Sequence, residues 1–110
     1  MRLPNSHNAV VEIEKLQNYS LNPDHPVGKH KARVFRAALG ITAKDAEWLR
    51  ARVLELAVNG DAKAGATSVF GDKYVIDSVV EFRGMSAVVR FTWIVELGTD
   101  FPRLTSCYVT

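Results

Sequence analysis

The stretch "KYVIDSVVEFRGMSAVVRFTWIVEL" (residues 73–97) decides the fold of the chain. Residues 73–82 and 87–97 are rich in β-branched and aromatic side chains, which favour strands. The four residues between them, "RGMS", include Gly84 and leave room only for a short turn. The stretch therefore predicts a β-hairpin.

The second strand of this hairpin has one continuous apolar face, because successive side chains alternate between the two faces of a sheet. That face is formed by Ala87, Val89, Phe91, Trp93, Val95 and Leu97. The opposite face is mixed and consists of Val88, Arg90, Thr92, Ile94 and Glu96. We expect the apolar face to pack against helices.

Two further strands are predicted beside the hairpin. One covers part of residues 61–70, with Gly71–Asp72 as the turn that follows it. The other is "RLTSCYVT" at residues 103–110, after the turn "GTDFP". Short strands joined by turns in this way predict an antiparallel meander of about four strands.

Before residue 61 the apolar spacing is helical. One helix is predicted from Ile13 to Leu21, where "NPDHP" stops it, and a second from about Val27 to Leu39, where Gly40 ends it. The third lies in "TAKDAEWLRARVLELAVNG" (42–60), which opens on a Thr-x-x-Asp capping box. The fold class is therefore α+β, with N-terminal helices packed on one face of a C-terminal antiparallel sheet. At 110 residues we expect a single domain, residues 1–110.

The composition is that of a globular protein, with 47% hydrophobic and 24% charged residues. No stretch approaches the roughly 18 apolar residues that a membrane span needs, and the N-terminus has no apolar signal region. The single cysteine, Cys107, excludes an internal disulfide and suits a reducing compartment. We therefore expect a cytoplasmic protein with no membrane partner.

The basic residues are unevenly distributed, although the formal net charge is only +2. Residues 26–52 hold seven Lys and Arg against two Asp and Glu, and the rest of the chain holds seven against ten. Such asymmetry steers a polyanion toward one face of a protein. The alternative interpretation is that the helices carry solvated cations on their outer sides.

Several kinds of site are excluded by the motifs that the chain lacks. It has no Walker-type phosphate loop, no GxGxxG, no HExxH and no CxxC. The three histidines, His7, His25 and His30, have no metal-ligand spacing. We therefore expect neither a metal nor another cofactor.

The remaining polar residues are of the types that cleave RNA without a cofactor. The 2′-hydroxyl attacks the adjacent phosphorus, so a protein must help to remove one proton, donate another and stabilise charge on the phosphoryl oxygens. Histidine suits the proton transfers, and Arg and Lys suit the charge. The candidates are His25, His30, Lys29, Lys31, Arg33, Arg90 and Arg103, with Ser106 or Thr105 as a hydroxyl donor and Tyr108 as a platform for a base.

Each candidate also has a purely structural interpretation. His25 precedes a proline and can hydrogen-bond its own turn, while Lys31 and Arg33 can be solvated helix residues. Arg90 can pair with Glu96 or Glu81 on the polar face of the sheet, and Asp77 in the first strand of the hairpin can also bond such an arginine. Tyr108 can belong to the core, and Cys107 is typical of a small buried apolar residue.

Five segments of the chain resemble a bacterial family known as domain of unknown function 6883. They are "LPN", "YSLNPDHPVGKHKARVF", "KYVID", "VVRFTWIV" and "DFPRLTSCY", and together they extend over nearly the whole chain. This resemblance implies a shared fold and no assigned activity.

The arrangement of helices before a four-stranded antiparallel sheet also resembles the barnase–EndoU–colicin–RelE group of metal-independent RNase toxins. Related toxins often end in a strand with the sequence Arg…Thr-Ala-Tyr-Pro, and the corresponding sequence here is "RLTSCYVT". Ser106 stands where that threonine would be, Cys107 replaces the alanine, and the final proline is absent. Alternation is expected to put Leu104, Ser106 and Tyr108 on one face, and the register decides whether Arg90 shares it.

The resemblance to RNase toxins implies a small cytoplasmic RNase-like domain, with RNA as substrate and a cognate acidic antitoxin as protein partner. The implied catalytic residues are His25, Lys31, Arg90 and Ser106, and the implied substrate-binding residues are Lys29, His30, Arg33, Arg103 and Tyr108. The alternative hypothesis is a non-catalytic protein-interaction module, either a partner-binding subunit or an immunity-type protein. Catalysis predicts that the four catalytic residues share one cleft, whereas an interaction module predicts an exposed apolar patch of more than a few hundred Å².

Overall fold

The C-terminal half of the chain forms one antiparallel sheet whose strands follow each other in sequence order. A computed structural model describes residues 1–110 and contains β1 (Ala62–Ser68), β2 (Gly71–Phe82), β3 (Met85–Glu96) and β4 (Pro102–Val109). The predicted four-stranded meander is therefore confirmed, as is the α+β class with helices first.

The hairpin of β2 and β3 is the longest strand pairing of the sheet. Phe82 pairs with Met85, so only Arg83 and Gly84 form the loop, and both have positive φ values of 50° and 84°. This is the geometry of the two-residue turns that match the twist of a hairpin. The alternation in β3 is confirmed at its centre, but Leu97 lies beyond the end of the strand and is 83% exposed, so its predicted packing is wrong.

The turn between β1 and β2 is Val69–Phe70, and the prediction of Gly71–Asp72 as the turn is wrong. Gly71 already belongs to β2 and has φ 144°. A Cβ atom at this position would lie 2.2 Å from the carbonyl oxygen of Val95 on β3. The glycine is thus required by the close approach of two strands and not by a turn.

An extra residue interrupts the pairing of β3 with β4. Thr92 pairs with Ser106 and the next residue, Trp93, pairs with Leu104, which leaves Thr105 as a bulge. Leu104 therefore faces the core, whereas Ser106 lies on the outer face of the sheet, away from the helices. The expectation that Leu104 and Ser106 share a face is wrong, because it assumed uninterrupted alternation.

The helices cover the other face of the sheet. They are α1 (Ile13–Lys15), which continues as a π-helical turn at Leu16–Ser20, α2 (Lys29–Leu39) and α3 (Ala46–Asn59), and α3 is preceded by a 3₁₀ turn at Ala43–Asp45. The capping box is confirmed, since the Thr42 N–H donates to Asp45 Oδ2 at 2.9 Å. None of the helices combines the length and apolar character that crossing a membrane requires.

The core lies between the helices and the inner face of the sheet. Its largest fully buried side chains include Phe35 of α2, Leu49 of α3, and Phe91 and Trp93 of β3. Burying large apolar side chains of this kind contributes about 1.5–3 kcal/mol each before the entropy of ordering them is subtracted. Because the inner face is filled in this way, polar groups of the sheet are left on the outer face.

Candidate functional site

Charged and aromatic side chains form a line across the outer face of the sheet. Asp77 of β2 is opposite Arg90 of β3, and Arg90 is opposite Tyr108 of β4. Lys31 of α2 extends this line beyond β4, with its Nζ 5.5 Å from the centroid of the Tyr108 ring. We call Lys31, Tyr108, Arg90 and Asp77 the cationic row.

Arg90 is oriented by a two-pronged ion pair. Its Nε and one terminal nitrogen donate to Asp77 Oδ1 and Oδ2 at 2.8 and 2.9 Å. The hydrogen bond from Arg90 is the main cause that holds the pKa of Asp77 below its usual value, and Asp77, followed by Tyr108, raises the pKa of Arg90. Arg90 therefore stays charged, and with 41% of its side chain exposed it remains accessible to an anion.

Lys31 lies between two tyrosine rings. Its Nζ is 4.8 Å from the centroid of Tyr19 and 3.4 Å from the Tyr19 hydroxyl oxygen, while Tyr108 lies on its other side. A lysine ammonium at these distances from aromatic rings is attracted by their negative faces. The two rings thus hold Lys31 next to the outer face of β4.

His25 is fixed by the turn in which it lies. Its Nδ1 accepts hydrogen bonds from the Val27 N–H at 3.0 Å and the Gly28 N–H at 2.9 Å, and its ring contacts Tyr19 edge-on at 4.7 Å. Since Nδ1 faces two donors, the imidazole proton must be on Nε2. In this conformation His25 is a hydrogen-bond donor through Nε2 and the acceptor that shapes its own turn.

Gly28 joins this turn to α2. A Cβ atom there would lie 2.1 Å from the carbonyl oxygen of Tyr19, so only glycine lets the start of α2 approach the π-helical turn so closely. This approach sets the distance between Tyr19 and Lys31. Residues 26–28 therefore act on the row through backbone packing, whereas Lys31 contributes its side chain.

Ser106 belongs to a cluster of three hydroxyl groups beside the row. Thr92 Oγ1 shares hydrogen bonds with Ser106 Oγ at 2.6 Å and with Thr105 Oγ1 at 2.7 Å. Since Tyr108 is directly opposite Arg90, Ser106 is its diagonal neighbour at about 7–8 Å between Cα atoms. The register therefore puts Arg90 and Ser106 on the same face.

The five residues predicted to bind substrate are dispersed. Tyr108 belongs to the row, and Arg103 is held between Glu12 and Glu96, of which Glu12 is the main cause of its raised pKa. His30 is exposed on α2. Lys29 and Arg33 line a separate groove.

This groove lies between α2 and the segment that leads into α3, and its volume is about 480 Å³. Its basic lining residues are Lys29, Arg33, Arg36 and Lys44, and its other lining residues are Leu21, Pro23, Ala32, Ile41, Thr42 and Ala43. We call it the basic groove. None of the four residues predicted to be catalytic lines it.

The side chains provide neither a reactive cysteine nor a cluster of metal ligands. Cys107 is fully buried opposite Phe91, and burial raises the pKa of its thiol. This matches the prediction of a small core residue. No three His, Cys, Asp or Glu side chains lie close enough together to hold a metal ion.

A known protein family matches nearly the whole sequence of the chain. The profile of the family described as a domain of unknown function, DUF6883, matches residues 2–110. The chain belongs to that family. No curated protein matches the chain significantly.

Three contributors to these two sites of the DUF6883 domain were not predicted from the sequence. Tyr19 is one, and only its position at the end of the first predicted helix, just before the proline-rich turn, pointed to it. Arg36 and Lys44 of the basic groove are the others. Lys29, Arg33 and Arg36 follow each other at helical spacing, but the partner wall that carries Lys44 depends on how the chain turns at Gly40.

Proposed function

We propose that this DUF6883 domain binds RNA and cleaves its phosphodiester backbone at the cationic row. The observation that supports the proposal is that two cations neighbour Tyr108: Lys31 Nζ lies 5.5 Å from the centroid of its ring, and Arg90 is its cross-strand partner on β3. Two cations next to one hydroxyl-bearing side chain suit a phosphate with a proton to be transferred nearby. An RNA substrate is compatible with the cytoplasmic location that the sequence favours.

In the proposed reaction the 2′-oxygen forms a bond to phosphorus and the bond from phosphorus to the 5′-oxygen breaks. The products are a 2′,3′-cyclic phosphate and a free 5′-hydroxyl. Solvent water takes the proton of the 2′-hydroxyl, and the Tyr108 hydroxyl donates a proton to the departing 5′-oxygen. Lys31 and Arg90 bind the non-bridging oxygens, on which negative charge accumulates.

Two further groups assist in binding. Ser106, with Thr92 as its hydrogen-bond partner, donates to the ribose or to a phosphate oxygen beside Arg90. His25 donates from Nε2 and takes no part in proton transfer, because its Nδ1 is occupied by two backbone N–H groups. The exposed position of the row on a sheet face is compatible with a long single strand.

The direct test is cleavage of a labelled single-stranded RNA by the purified chain, with detection of the cyclic phosphate product. Lys31→Met keeps the apolar stem of the lysine and removes its charge, so we expect a loss of rate of about 10²-fold or more. Lys73→Met is the matched control, because Lys73 is also exposed on the outer face but lies about 13 Å from Asp77 along β2. Equal rates for the two variants would refute the proposal.

A toxin role extends the proposal to the cell. Induced expression in a bacterial host should arrest growth and degrade RNA, and a cognate acidic antitoxin should prevent both effects. Normal growth with intact RNA, combined with a well-folded protein, would remove this role.

A second candidate function is protein binding through an apolar tip formed by Val69, Phe70 and Leu97. These side chains are 81%, 72% and 83% exposed, and the Leu97 N–H donates to the Phe70 carbonyl at 2.9 Å, so the two turns that carry them are adjacent. Exposed apolar clusters of this kind mark interaction surfaces. If RNA stays intact and the Phe70→Ser variant loses a partner that Lys31→Met retains, the chain is an interaction module.

A further inference from the structure

The basic groove contains four cations and no carboxylate among its lining residues. Lys29, Arg33, Arg36 and Lys44 make no ion pair and no side-chain hydrogen bond within the chain. Like charges gathered around a concave surface repel one another and raise the local concentration of anions. The groove therefore favours an anionic ligand.

The arginines of the groove differ from the others in the chain. Of the eight arginines, five donate hydrogen bonds, namely Arg2, Arg50, Arg52, Arg90 and Arg103. Arg83 lies over the ring of Phe82. Only Arg33 and Arg36 have no partner of any of these kinds, and both line the groove. Their guanidinium groups are thus free for the bidentate contacts that arginine makes with phosphate.

The cations are spread along the groove. Lys29, Arg33 and Arg36 follow each other on one face of α2, with rises of about 6 and 4.5 Å between successive residues. Lys44 stands on the opposite wall, after the turn at Gly40. Cations separated in this way suit several anionic oxygens at different points of a ligand, which is the pattern of phosphates joined to one another or along a strand.

The floor of the groove is apolar. Leu21, Ala32 and Ile41 are buried core residues whose edges reach the groove, and Pro23 and Ala43 complete the floor. A volume of about 480 Å³ is within the range of sites for small organic ligands. An inorganic anion would leave this apolar surface uncovered, so the ligand needs an apolar or planar part as well as negative charge.

We propose that the basic groove binds a phosphorylated nucleoside, with its phosphates on Lys29, Arg33, Arg36 and Lys44 and its base on the apolar floor. The nucleoside is either a free nucleotide or part of an RNA strand. In the second case the inference rests on the proposed RNA-cleaving function and deepens it. Lys29 and Lys31 are about 200° apart around the axis of α2, so a strand that crosses the first turn of the helix reaches both the groove and the row.

The charge of the groove is tested by binding of a fluorescein-labelled single-stranded RNA, measured as anisotropy between about 50 and 200 mM salt. The Arg33→Gln/Arg36→Gln double variant should bind at least about tenfold more weakly, because two charge-assisted contacts are lost. The slope of log K against log salt should become shallower by about 0.7 for each phosphate contact removed. Lys15→Gln/Lys73→Gln removes the same charge outside the groove and should change the affinity less than about twofold.

The apolar floor and the source of the nucleoside are tested with two small probes. Adenosine diphosphate carries a base and two phosphates, and inorganic pyrophosphate carries the phosphates alone. Ala43→Phe should cover the apolar floor with its ring. It should therefore weaken the binding of adenosine diphosphate and leave the affinity for pyrophosphate unchanged. Binding of adenosine diphosphate by the groove identifies a free nucleotide as ligand, and binding of RNA alone identifies a strand.

The proposal is overturned if the Arg33→Gln/Arg36→Gln variant binds RNA and adenosine diphosphate as well as its control does, or if neither RNA nor adenosine diphosphate binds the wild-type chain. It is also overturned if only an acidic peptide competes for the groove, since the occupant is then a protein. Failure of the proposed cleavage is recognised separately, because groove variants change binding whether or not RNA is cut. If cleavage occurs, groove variants should raise KM and largely retain kcat, whereas Lys31→Met should lower kcat.

Discussion

Arg90 and Asp77 occupy directly opposed positions on β3 and β2, and Arg90 donates two hydrogen bonds to the Asp77 carboxylate on an exposed sheet face. The side chains are 41% and 40% exposed, so water and salt screen the pair. Its main consequence is therefore orientation of the guanidinium, and its contribution to stability is modest. That contribution nevertheless has a defined dependence on pH.

Asp77→Asn should remove part of the acid sensitivity of the fold. Because the Arg90 hydrogen bond lowers the pKa of Asp77 in the folded state, the pair stabilises the chain above the unfolded carboxyl pKa of about 3.9. This stabilisation is lost as the pH falls through the lower pKa of the folded state. Urea denaturation should show wild type more stable than Asp77→Asn at neutral pH and the difference should shrink in strong acid.

The control for this prediction is Asp72→Asn, which changes an exposed aspartate of the same strand that makes no ion pair. It should leave the pH dependence of unfolding as in wild type. A difference between wild type and Asp77→Asn that stays constant from neutral to acid pH would show that Arg90 does not perturb this carboxyl.

The bulge at Thr105 predicts unequal costs for two substitutions on β4. Leu104 is buried opposite Trp93, so Leu104→Ala should lower the free energy of unfolding by about 2–5 kcal/mol. Ser106 lies on the outer face, and without its hydroxyl Thr92 still has a hydrogen bond to Thr105. Ser106→Ala should therefore lower the free energy of unfolding by about 1 kcal/mol or less. Urea midpoints measure both, and similar losses would contradict the assigned register.

Much of the fold was predictable because periodicity and turn chemistry are local. The third predicted helix, the capping box at Thr42 and the turn at Gly84 each depend on neighbours in the sequence, and the structure agrees with them. The bulge at Thr105 was not predictable in the same way. A single inserted residue leaves no compositional mark, and it reverses the face of every side chain that precedes it.

The candidate site was less predictable than the fold because it depends on contacts between distant segments. The sequence offered several acidic partners for Arg90, and only the β2–β3 register selected Asp77. Lys31 was predicted as a site residue, but its position between Tyr19 and Tyr108 depends on packing across the edge of β4. The residue types therefore predicted which reaction the site could perform, but they did not predict which side chains lie next to each other.

Substitutions of His25 should separate a turn-forming role from proton transfer. His25→Ala leaves the N–H groups of Val27 and Gly28 without their acceptor and should cost about 0.5–2 kcal/mol, as the loss of a helix cap does. His25→Asn supplies a side-chain oxygen that can accept from the backbone two residues later, so most of this stability should return. Thermal or urea unfolding measures both variants.

RNA cleavage by the same variants gives the second readout. If His25 only shapes the turn, His25→Asn should retain a rate within about tenfold of wild type, since no proton transfer is lost. A variant that is as stable as wild type and yet inactive would assign His25 a direct role in the chemistry.

The first turn of α2 has an unfavourable charge for a helix. It contains Lys29, His30 and Lys31 and no acidic residue, although the N-terminal end of a helix favours negative side chains. His30 is exposed and lines neither the basic groove nor the cationic row. His30→Glu should therefore stabilise the chain by about 0.3–1 kcal/mol at low salt, and by less at high salt.

The same substitution should weaken RNA binding, because it adds a negative charge between Lys29 and Lys31. Greater stability together with weaker binding would show that the positive charge of this turn destabilises the helix and is needed for RNA binding. Unfavourable local sequence of this kind is expected at functional sites. His30→Gln is the control, since it adds no charge and should change neither quantity appreciably. If His30→Glu is stabilised and binds RNA as wild type does, the strand does not cross the first turn of α2.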